Sequence, residues 1–303
     1  MPRRLLVTGA DENHWDLLRD LLASLKSGPD GSFETALVNM GSIQPPDEIV
    51  SRFDIVTPPL GGQCESIQYD GLRVAFLNIK PTLPLTFPGY DVYMWIDADC
   101  WINIISSIYD IFDLANRADI AIHPELDIHY FCYETSSNRT MSIYRNLFGD
   151  QETSAYVRRP MVNSGVFSAM ATSPIWSAWT KVMSQIRTDH DNGRSIFFSD
   201  QIPLHYILNK NNFSIYPLRA SYNWQTYAHP PCLELASRNL SLPTAPYEPL
   251  NIIHLAGMSK DTVYEFVGAG VKSRLRYREI QAAISSLPPG ANSGVLALRP
   301  LIG

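Results

Sequence analysis

The amino-acid sequence predicts an α/β protein whose open, mainly parallel central sheet is flanked by helices. Short apolar runs, typical of buried strands, alternate with longer stretches in which apolar residues recur at helical spacing. The most apolar run, residues 92–96, is followed directly by polar residues, and polar clusters follow several other predicted strands. Ligands of open α/β sheets bind beyond the carboxyl ends of the strands, so this arrangement indicates a ligand site.

The first sixty residues predict the order strand, helix, strand, strand. Residues 5–7 form a short apolar run, after which Leu18, Leu21, Leu22 and Leu25 recur at helical spacing. Two further short strands are predicted at 36–38 and 54–56, between segments that contain Pro and Gly.

The rest of the chain continues this alternation. Strands are predicted at 92–96, 119–122, 162–170 and 251–253, and helices at 104–115, 173–185 and 199–209. We expect residues 1–265 to form one domain and residues 266–303 to add a helical extension and a flexible tail. The tail is expected because residues 287–303 are rich in Pro, Gly and small side chains.

Composition limits the classes of partner. The formal net charge of −6 argues against nucleic acid, because phosphate backbones are bound by basic surfaces. No run approaches the roughly 20 apolar residues of a membrane span. The N-terminus also lacks the pattern of a secretion signal, and we therefore expect a cytoplasmic protein. The four cysteines are scattered and predict neither a zinc site nor a disulfide framework.

Two carboxylates follow the most apolar strand. Asp97 and Asp99 are separated only by Ala98, and burying two ionised carboxylates so close together is costly unless a cation neutralises them. Hard oxygen ligands suit magnesium or manganese. Two solvated acids at an ordinary strand end are the alternative, since the Asp-x-Asp pattern is common.

A second polar cluster follows the last predicted strand. His254 ends that strand and could be a metal ligand, Gly257 could let the backbone approach a phosphate, and Lys260 could neutralise a diphosphate. The alternative is a core histidine followed by a surface lysine.

Two further clusters stand near predicted element boundaries. Asp200 and Gln201 begin a predicted helix, where Ser199 or Asp200 could equally be the N-cap. Asn163, Ser164 and Gly165 lie at the start of a predicted strand, where an ordinary turn is the alternative.

These clusters occur in an order that resembles glycosyltransferase family 8, which includes glycogenin and bacterial lipopolysaccharide galactosyltransferases. The resemblance runs from about Leu5 to Lys260. The matching residues are Ala10-Asp11-x-Asn13, Lys80, Asp97-Ala98-Asp99, Asn163-Ser164-Gly165, Asp200-Gln201 and His254-x-x-Gly257-x-x-Lys260.

The resemblance implies a single-domain GT-A (Rossmann-like) fold and a retaining hexosyltransferase. It also implies a UDP-sugar donor (glucose or galactose), a hydroxyl acceptor such as a saccharide, and manganese or magnesium as cofactor. Carried over residue by residue, the metal ligands are Asp97, Asp99 and His254. The remaining donor-binding residues are Thr8, Gly9, Ala10, Asp11 and Asn13 at the base and ribose, Lys80 and Ala98 along the donor, and Gly257 and Lys260 at the diphosphate. The catalytic residues around the transferring sugar are Asn163, Asp200 and Gln201.

The sequence departs from the family pattern in two places. Many members continue the last motif with Pro-Trp, where this chain has Asp261-Thr262, and Gly9 replaces a frequent alanine without expected harm. Residues 124–159 carry no family motif, and we expect them to face the acceptor. The basic segment Lys272–Arg278 could contact anionic lipid, or it could be a solvated helix face.

Other functions remain as alternatives. A sugar-nucleotide nucleotidyltransferase would need a glycine-rich, basic phosphate loop after the first strand, where this chain has Gly9-Ala10-Asp11-Glu12. A non-catalytic sugar-nucleotide-binding module would be indicated by the loss of a motif residue, but Asp97, Asp99, His254 and Lys260 are all present. Hydrolysis of the donor is a further alternative. For a transferase, retention could proceed through a covalent intermediate on Asp200 or by front-face attack of the acceptor.

Overall fold

The computed structural model describes residues 2–25, 31–60, 68–69, 72–73, 79–130, 134–196, 199–287 and 294–301. The strands are β1 Arg4–Ala10, β2 Glu34–Asn39, β3 Ile55–Val56, β4 Gln68–Tyr69, β5 Leu72–Arg73, β6 Val92–Ile96, β7 Cys100–Ile102, β8 Ile120–Pro124, β9 Val162–Met170, β10 Ile215–Pro217, β11 Trp224–Gln225, β12 Cys232–Glu234, β13 Asn239–Ser241, β14 Ile252–His254, β15 Val263–Phe266, β16 Val271–Arg274 and β17 Val295–Pro300. The α-helices are α1 Trp15–Ser24, α2 Asp47–Val50, α3 Leu83–Thr86, α4 Ser106–Leu114, α5 Glu134–Tyr156 (kinked at Gly149), α6 Ile175–Asp191, α7 Gln201–Lys210 and α8 Tyr277–Ser285.

The central sheet has the strand order β10-β8-β9-β6-β1-β2-β3. Every neighbouring pair is parallel except those that involve β9, which is antiparallel to both β6 and β8. The predicted mixed, mainly parallel sheet is thus confirmed. Because β9 runs in the opposite direction, its first residues lie beside the carboxyl ends of β6 and β8.

The continuous apolar character of β6 follows from its position, since all five of its residues are buried. Tyr93 and Trp95 pack into a core with residues of α6 and α7, whereas Val92, Met94 and Ile96 pack into another core with residues of α1 and α4. A strand covered on both faces has no solvent-facing positions, so the alternation of polar and apolar residues disappears.

A smaller sheet brings a distant part of the chain to the end of β6. It has the order β11-β14-β7, and β14 pairs antiparallel with β7 in a register that sets His254 opposite Cys100. Directly opposed residues of an antiparallel pair share one face of the sheet. This register places His254 next to Asp99, more than 150 residues earlier in the chain.

The C-terminal part differs from the expected flexible tail. Helix α8 agrees with a helical extension, but Val295–Pro300 forms β17, which lies between β12 and β15 in the order β13-β12-β17-β15-β16. Leu298 is buried in a core shared with Trp101 and Trp224. The composition of this segment suggested a tail because it is rich in prolines and small residues. The strand was not predicted because its partners are distant in sequence.

The basic segment is occupied by pairing within the chain. Arg276 and Arg278 both pair with the buried carboxylate of Asp20 on α1, at 3.4 and 2.7 Å, and Arg274 pairs with Glu279 at 2.6 Å. These ion pairs attach the C-terminal elements to α1 and give no support to contact with lipid. Among the described residues, no helix combines the length and the apolar character that crossing a bilayer requires.

Candidate active site

The segment Asp97–Asp99 leaves the end of β6 and is held by backbone hydrogen bonds on both sides. Asp97 N–H donates to the carbonyl oxygen of Gly165 in β9 at 2.8 Å, and Leu255 N–H, just after β14, donates to the carbonyl oxygen of Asp99 at 2.9 Å. The two carboxylates are therefore directed by a rigid strand end and lie between β9 and β14.

Asp97 belongs to what we call the lysine cluster, which consists of Lys80, Asp97, Ser164 and Asp200. The buried Lys80 ammonium lies 3.0 Å from Asp97 Oδ1 and 2.7 Å from Asp200 Oδ2, and it donates to the Ser164 carbonyl at 3.1 Å. Ser164 Oγ donates to Asp200 Oδ2 at 3.0 Å. One cation thus joins two carboxylates from β6 and from the start of α7.

The pKa values of the two carboxylates in the lysine cluster shift in opposite directions. Burial would lower the pKa of Lys80, yet Asp200 and Asp97 hold it above its ordinary value. Burial would raise the pKa of Asp200, but Lys80 and Ser164 bring it below its ordinary value. For Asp97 burial prevails, and its pKa is raised even though Lys80 acts against the increase. Two carboxylates share one ammonium, and Asp200 has the shorter contact with it.

Asp99 belongs to a second group, the histidine cluster of Asp99, His254, Lys260 and Asn223. His254 Nε2 is 3.3 Å from Asp99 Oδ1, Lys260 Nζ is 2.9 Å from Asp99 Oδ2, and His254 Nδ1 is 2.8 Å from Asn223 Oδ1. Although burial acts in the opposite direction, His254 and Lys260 hold the pKa of Asp99 below its ordinary range. Burial alone would lower the pKa of His254, but Asp99 raises it above its ordinary value.

A third group is built around Glu125, which directly follows β8. Glu125 Oε1 accepts hydrogen bonds from the amide groups of Asn163 at 3.0 Å, Gln201 at 3.1 Å and Gln225 at 3.3 Å. Burial raises the pKa of Glu125, while the three amides counteract that increase. We call Glu125 and these three residues the amide cluster.

A hydrogen bond between two side-chain amides joins the amide cluster to the histidine cluster. Asn163 Oδ1 accepts from Asn223 Nδ2 at 2.9 Å and also from the backbone N–H of Gly165 at 2.9 Å. Only glycine fits at position 165, because a Cβ there would lie 2.4 Å from His254 Cε1. The Asn-Ser-Gly motif therefore has a steric basis in the close packing of β9 against the histidine.

The residues expected at the base and ribose form a separate group at the end of β1. The buried Asp11 carboxylate accepts from Asn13 N–H at 3.0 Å and contacts His14 Nδ1 at 2.6 Å. Burial would raise the pKa of Asp11, but His14 and Asn13 bring it below its ordinary value. Thr8 is buried, and its hydroxyl has no hydrogen-bond partner in the described part of the chain.

Trp95 connects the group at the end of β1 to the lysine cluster. Its indole N–H donates to Asp97 Oδ1 at 2.6 Å, and its ring would lie 3.0 Å from a Cβ added at Gly9. An alanine at Gly9 would also meet Met40 Cε at 2.2 Å, and this methyl is the end of a flexible side chain. The glycine therefore avoids a contact with Met40 that the alanine frequent in glycosyltransferase family 8 would make. Ala10 and Ala98 are buried in the core beneath.

The loop after β14 has the backbone conformation that its glycine permits. Gly257 has φ of +61°, a region that L-residues rarely adopt, and it begins a 3₁₀ turn that ends at Lys260. Ser259 Oγ donates to the Ala256 carbonyl at 2.7 Å and closes the turn. This turn carries the Lys260 side chain to Asp99.

The donor atoms of the histidine cluster fit a divalent metal ion. Side-chain donor atoms of Asp99, Cys100 and His254 lie within 4.8 Å of one another. Burial raises the pKa of the Cys100 thiol well above its ordinary value, so the thiol is protonated at neutral pH and is a weak ligand. The remaining oxygen and nitrogen donors suit manganese or magnesium. Asp97 does not belong to this group of donor atoms; among the described residues, its contacts with Lys80 and with the Trp95 indole both use Oδ1.

The structure adds residues to the set expected from sequence. Glu125, Asn223 and Gln225 contact expected site residues but were not identified from the sequence. Glu125 could have been found, because it follows a predicted strand as Asp97 does. Asn223 and Gln225 lie at short irregular elements that carry no sequence pattern.

Comparisons with known proteins identify the fold but no family. No family model matches the chain, and no curated protein matches it in sequence. Among solved structures, the galactosyltransferase LgtC, in complex with donor and acceptor sugar analogs, matches with a TM-score of 0.56 at 12% identity, over 93% of this chain and 96% of that chain. Mouse xyloside xylosyltransferase 1 matches with a TM-score of 0.51 at 14% identity, over 84% and 97% of the two chains.

A third structure with this fold is the bifunctional glycosyltransferase WbbM. It matches with a TM-score of 0.52 at 13% identity, over 95% of this chain and 50% of that longer chain. At such low identities the likeness concerns the fold, and membership of glycosyltransferase family 8 stays a prediction. The chain therefore has the GT-A fold of these glycosyltransferases.

Proposed function

We propose that this protein is a metal-dependent, retaining glycosyltransferase that moves a hexose, glucose or galactose, from a UDP-sugar to a hydroxyl group of a saccharide acceptor. One observation carries the proposal. The histidine cluster and the lysine cluster adjoin at the Asp97–Asp99 segment, so donor atoms for a metal and hydrogen-bonding groups for a sugar lie side by side. In a nucleotide diphosphate-sugar, the diphosphate that binds a metal is likewise next to the sugar.

The charges of the site support a divalent cation. Four carboxylates (Asp97, Asp99, Asp200 and Glu125) face two ammonium groups (Lys80 and Lys260), which leaves two net negative charges when His254 is neutral. Asp97, Asp99 and His254 would hold Mn²⁺ or Mg²⁺, which when bound supplies positive charge opposite the leaving diphosphate.

Lys260 would stabilise the leaving group further. Its side chain is 28% exposed and reaches Asp99 from a turn whose glycine leaves the backbone accessible. An ammonium on a flexible stem can move from the Asp99 carboxylate to a diphosphate oxygen as negative charge develops there. Gly257 would let the diphosphate approach the backbone.

Asp200 and Gln201 would lie beside the transferring sugar. The lowered pKa keeps Asp200 ionised, and its contacts with Lys80 and Ser164 use Oδ2, which leaves Oδ1 for the substrate. Gln201 donates its amide N–H to Glu125, so its carbonyl oxygen is turned towards other partners and can stabilise an oxocarbenium-like centre. These orientations serve both routes to retention, covalent attack by Asp200 and front-face attack by the acceptor.

The β1 end would bind the nucleoside. The ionised Asp11 carboxylate can accept hydrogen bonds from ribose hydroxyls, and the unpartnered Thr8 hydroxyl can pair with a ligand. Trp95 connects this group with Asp97, so the nucleoside and the diphosphate would lie at the ends of neighbouring strands.

A donor screen tests the proposal. The protein is incubated with manganese and a panel of UDP-, GDP- and dTDP-sugars, and release of nucleotide diphosphate is followed with and without EDTA. We expect release from one UDP-hexose that EDTA abolishes, and a faster rate when a saccharide acceptor is added. Binding of the donor without release would indicate a binding module, and release of pyrophosphate from a nucleoside triphosphate and a sugar phosphate would indicate a nucleotidyltransferase.

The role of Asp200 is tested separately. Asp200→Asn should reduce turnover far more than donor affinity, because the carboxylate acts on the reacting sugar. Asp119→Asn is the matched control, since Asp119 accepts from Ser214 N–H at 2.8 Å just before β8, at the opposite end of the same sheet. Equal losses of turnover and donor affinity in Asp200→Asn would contradict a catalytic role.

A further inference from the structure

Asn223 lies outside every motif of the sequence, yet it is fully buried between Asn163 of the amide cluster and His254. Its side chain makes two hydrogen bonds, from Nδ2 to Asn163 Oδ1 at 2.9 Å and between Oδ1 and His254 Nδ1 at 2.8 Å. The question that matters chemically is which of these atoms donates, because the answer decides where the imidazole carries its proton.

The orientation of Asn163 is determined by neighbours that cannot reverse their roles. The Gly165 backbone N–H can only donate, so the Asn163 atom that faces it must be the oxygen. On the other side, Glu125 Oε1 accepts from three amides, so the Asn163 atom that faces it must be the nitrogen. Turning the Asn163 amide over would break both contacts.

The orientation of Asn223 follows from that of Asn163. Since Asn163 presents an oxygen, Asn223 must present its N–H₂ group to it and its carbonyl oxygen to His254. His254 Nδ1 therefore carries a proton, which it donates to Asn223. In the neutral imidazole the lone pair must then lie on Nε2, the atom that faces Asp99 Oδ1 at 3.3 Å.

We propose that Asn223 is a positioning residue that fixes the tautomer and the ring orientation of His254, so that Nε2 is ready to bind the metal. The inference rests on the proposed metal-dependent function. Partners of this kind, which bind the far nitrogen of a ligating histidine, typically change metal affinity by about 10- to 100-fold. The chain Glu125–Asn163–Asn223–His254 thereby connects the sugar side to the metal side.

Gly165 holds the same ring from the other side. A Cβ at this position would lie 2.9 Å from His254 Nδ1 and 2.4 Å from Cε1, so the imidazole packs directly against the glycine backbone. The ring is thus restrained by a steric contact and by a hydrogen bond. The steric contact does not distinguish one tautomer from the other, whereas the hydrogen bond from Nδ1–H to Asn223 does.

The experiment compares Asn223→Ala and Asn223→Asp with the wild-type protein. The tautomer of His254 is read in the metal-free protein from ¹⁵N chemical shifts at alkaline pH, where the imidazole is neutral, and the affinity for Mn²⁺ is measured by calorimetry. We expect Asn223→Ala to populate the Nε2–H tautomer and to weaken Mn²⁺ binding by about 10- to 100-fold. Asn223→Asp keeps an acceptor for Nδ1–H and should retain the wild-type tautomer.

The control is Asn103→Ala, which removes an amide that donates to the Leu240 and Leu250 carbonyls and touches none of the three clusters. It should leave both readouts unchanged. An unchanged tautomer and Mn²⁺ affinity in Asn223→Ala would overturn the inference. If Asn223→Ala does not fold, loss of the wild-type tautomer in Asn223→Asp would overturn it instead. If the wild-type protein binds no Mn²⁺, the proposed function fails, while the ¹⁵N spectra still test the role of Asn223.

Discussion

Asp97 and Asp99 are two residues apart, yet they lie in different clusters. The pKa of Asp99 is lowered in its cluster, whereas the pKa of Asp97 is raised. Asp99 has an imidazole and an ammonium close to its carboxylate, and these hold its pKa below the ordinary range. Asp97 shares the single ammonium of Lys80 with Asp200, and burial keeps its pKa raised.

The difference teaches how one Asp-x-Asp segment can serve two purposes. The chain turns at Asp97–Cys100, where Cys100 N–H donates to the Asp97 carbonyl oxygen at 3.0 Å, so two carboxylates two residues apart meet different neighbours. The Lys80 pairing directs Asp97 and Asp200 together towards the proposed sugar side. The histidine cluster is easier to rearrange around a ligand, because the Lys260 side chain is partly exposed and Asn223 holds His254 by one hydrogen bond.

The largest effect is expected from removing the better-neutralised carboxylate. Asp99→Asn keeps the shape of the side chain but removes a metal-ligand charge and the partner of His254 and Lys260. We expect kcat/KM for UDP-hexose to fall by roughly 10³-fold, a size typical for the loss of one electrostatic group in an active site. Calorimetry should show loss of Mn²⁺ binding. Wild-type Mn²⁺ affinity in this variant would show that the metal lies elsewhere.

A change in the lysine cluster should instead act mainly on stability. Lys80→Met leaves the buried Asp200 without its cation, and removing one partner of a buried ion pair costs about 3–5 kcal/mol. Urea unfolding measures this cost. Lys260→Met should cost about 1 kcal/mol or less, because Lys260 is partly exposed and Asp99 keeps His254. Equal losses in the two variants would contradict the proposed difference between the clusters.

A steric change should disturb the histidine cluster and leave the lysine cluster intact. Gly165→Ala places a methyl 2.4 Å from His254 Cε1, so the ring must move, and we expect Mn²⁺ binding to weaken by about 10-fold. Gly9→Ala is the control, because its methyl meets the flexible end of Met40. Similar Mn²⁺ affinities in the two alanine variants would argue against close packing of His254 on Gly165.

The smallest effect concerns protonation of the two aspartates. In the metal-free protein, carboxyl ¹³C spectra should show Asp97 taking up its proton above the ordinary value of 3.8 and Asp99 below it as the pH falls. Asp99 thus adds stability that is present above pH 3.8 and is lost as acid protonates it. Ionised Asp97 costs stability near neutral pH, and that cost disappears as the pH falls through its raised pKa. Identical midpoints would remove the distinction.

The elements that sequence reasoning located best are those with strong local patterns. Val92–Ile96 was expected as a strand at those bounds because complete burial leaves an unbroken apolar run, and Val162–Met170 was expected at its observed bounds as well. β17 was expected as part of a loose tail. Its apolar side chains become meaningful only when β12 and β15 pair with it, and those partners are distant along the chain.

The candidate site shows the same division. Asp97, Asp99, His254 and Lys260 could be selected from sequence because they follow strand ends and match a known order of motifs. The grouping of these side chains could not be predicted. No local sequence pattern indicates that Lys80 pairs with both Asp97 and Asp200, or that Glu125 accepts hydrogen bonds from three amides. Hydrogen bonds between residues far apart in sequence leave no periodic signal.

The sequence alone determined the α/β class, most strands of the central sheet, and the residue types available for metal and phosphate chemistry. Those properties depend on burial and on backbone preferences, which act over a few neighbouring residues. The tertiary structure alone decided which carboxylate meets which cation and which nitrogen of His254 carries the proton. Both depend on contacts such as His254 with Asn223, 31 residues apart, and Lys80 with Ser164, 84 residues apart, whose geometry exists only once the strands have assembled.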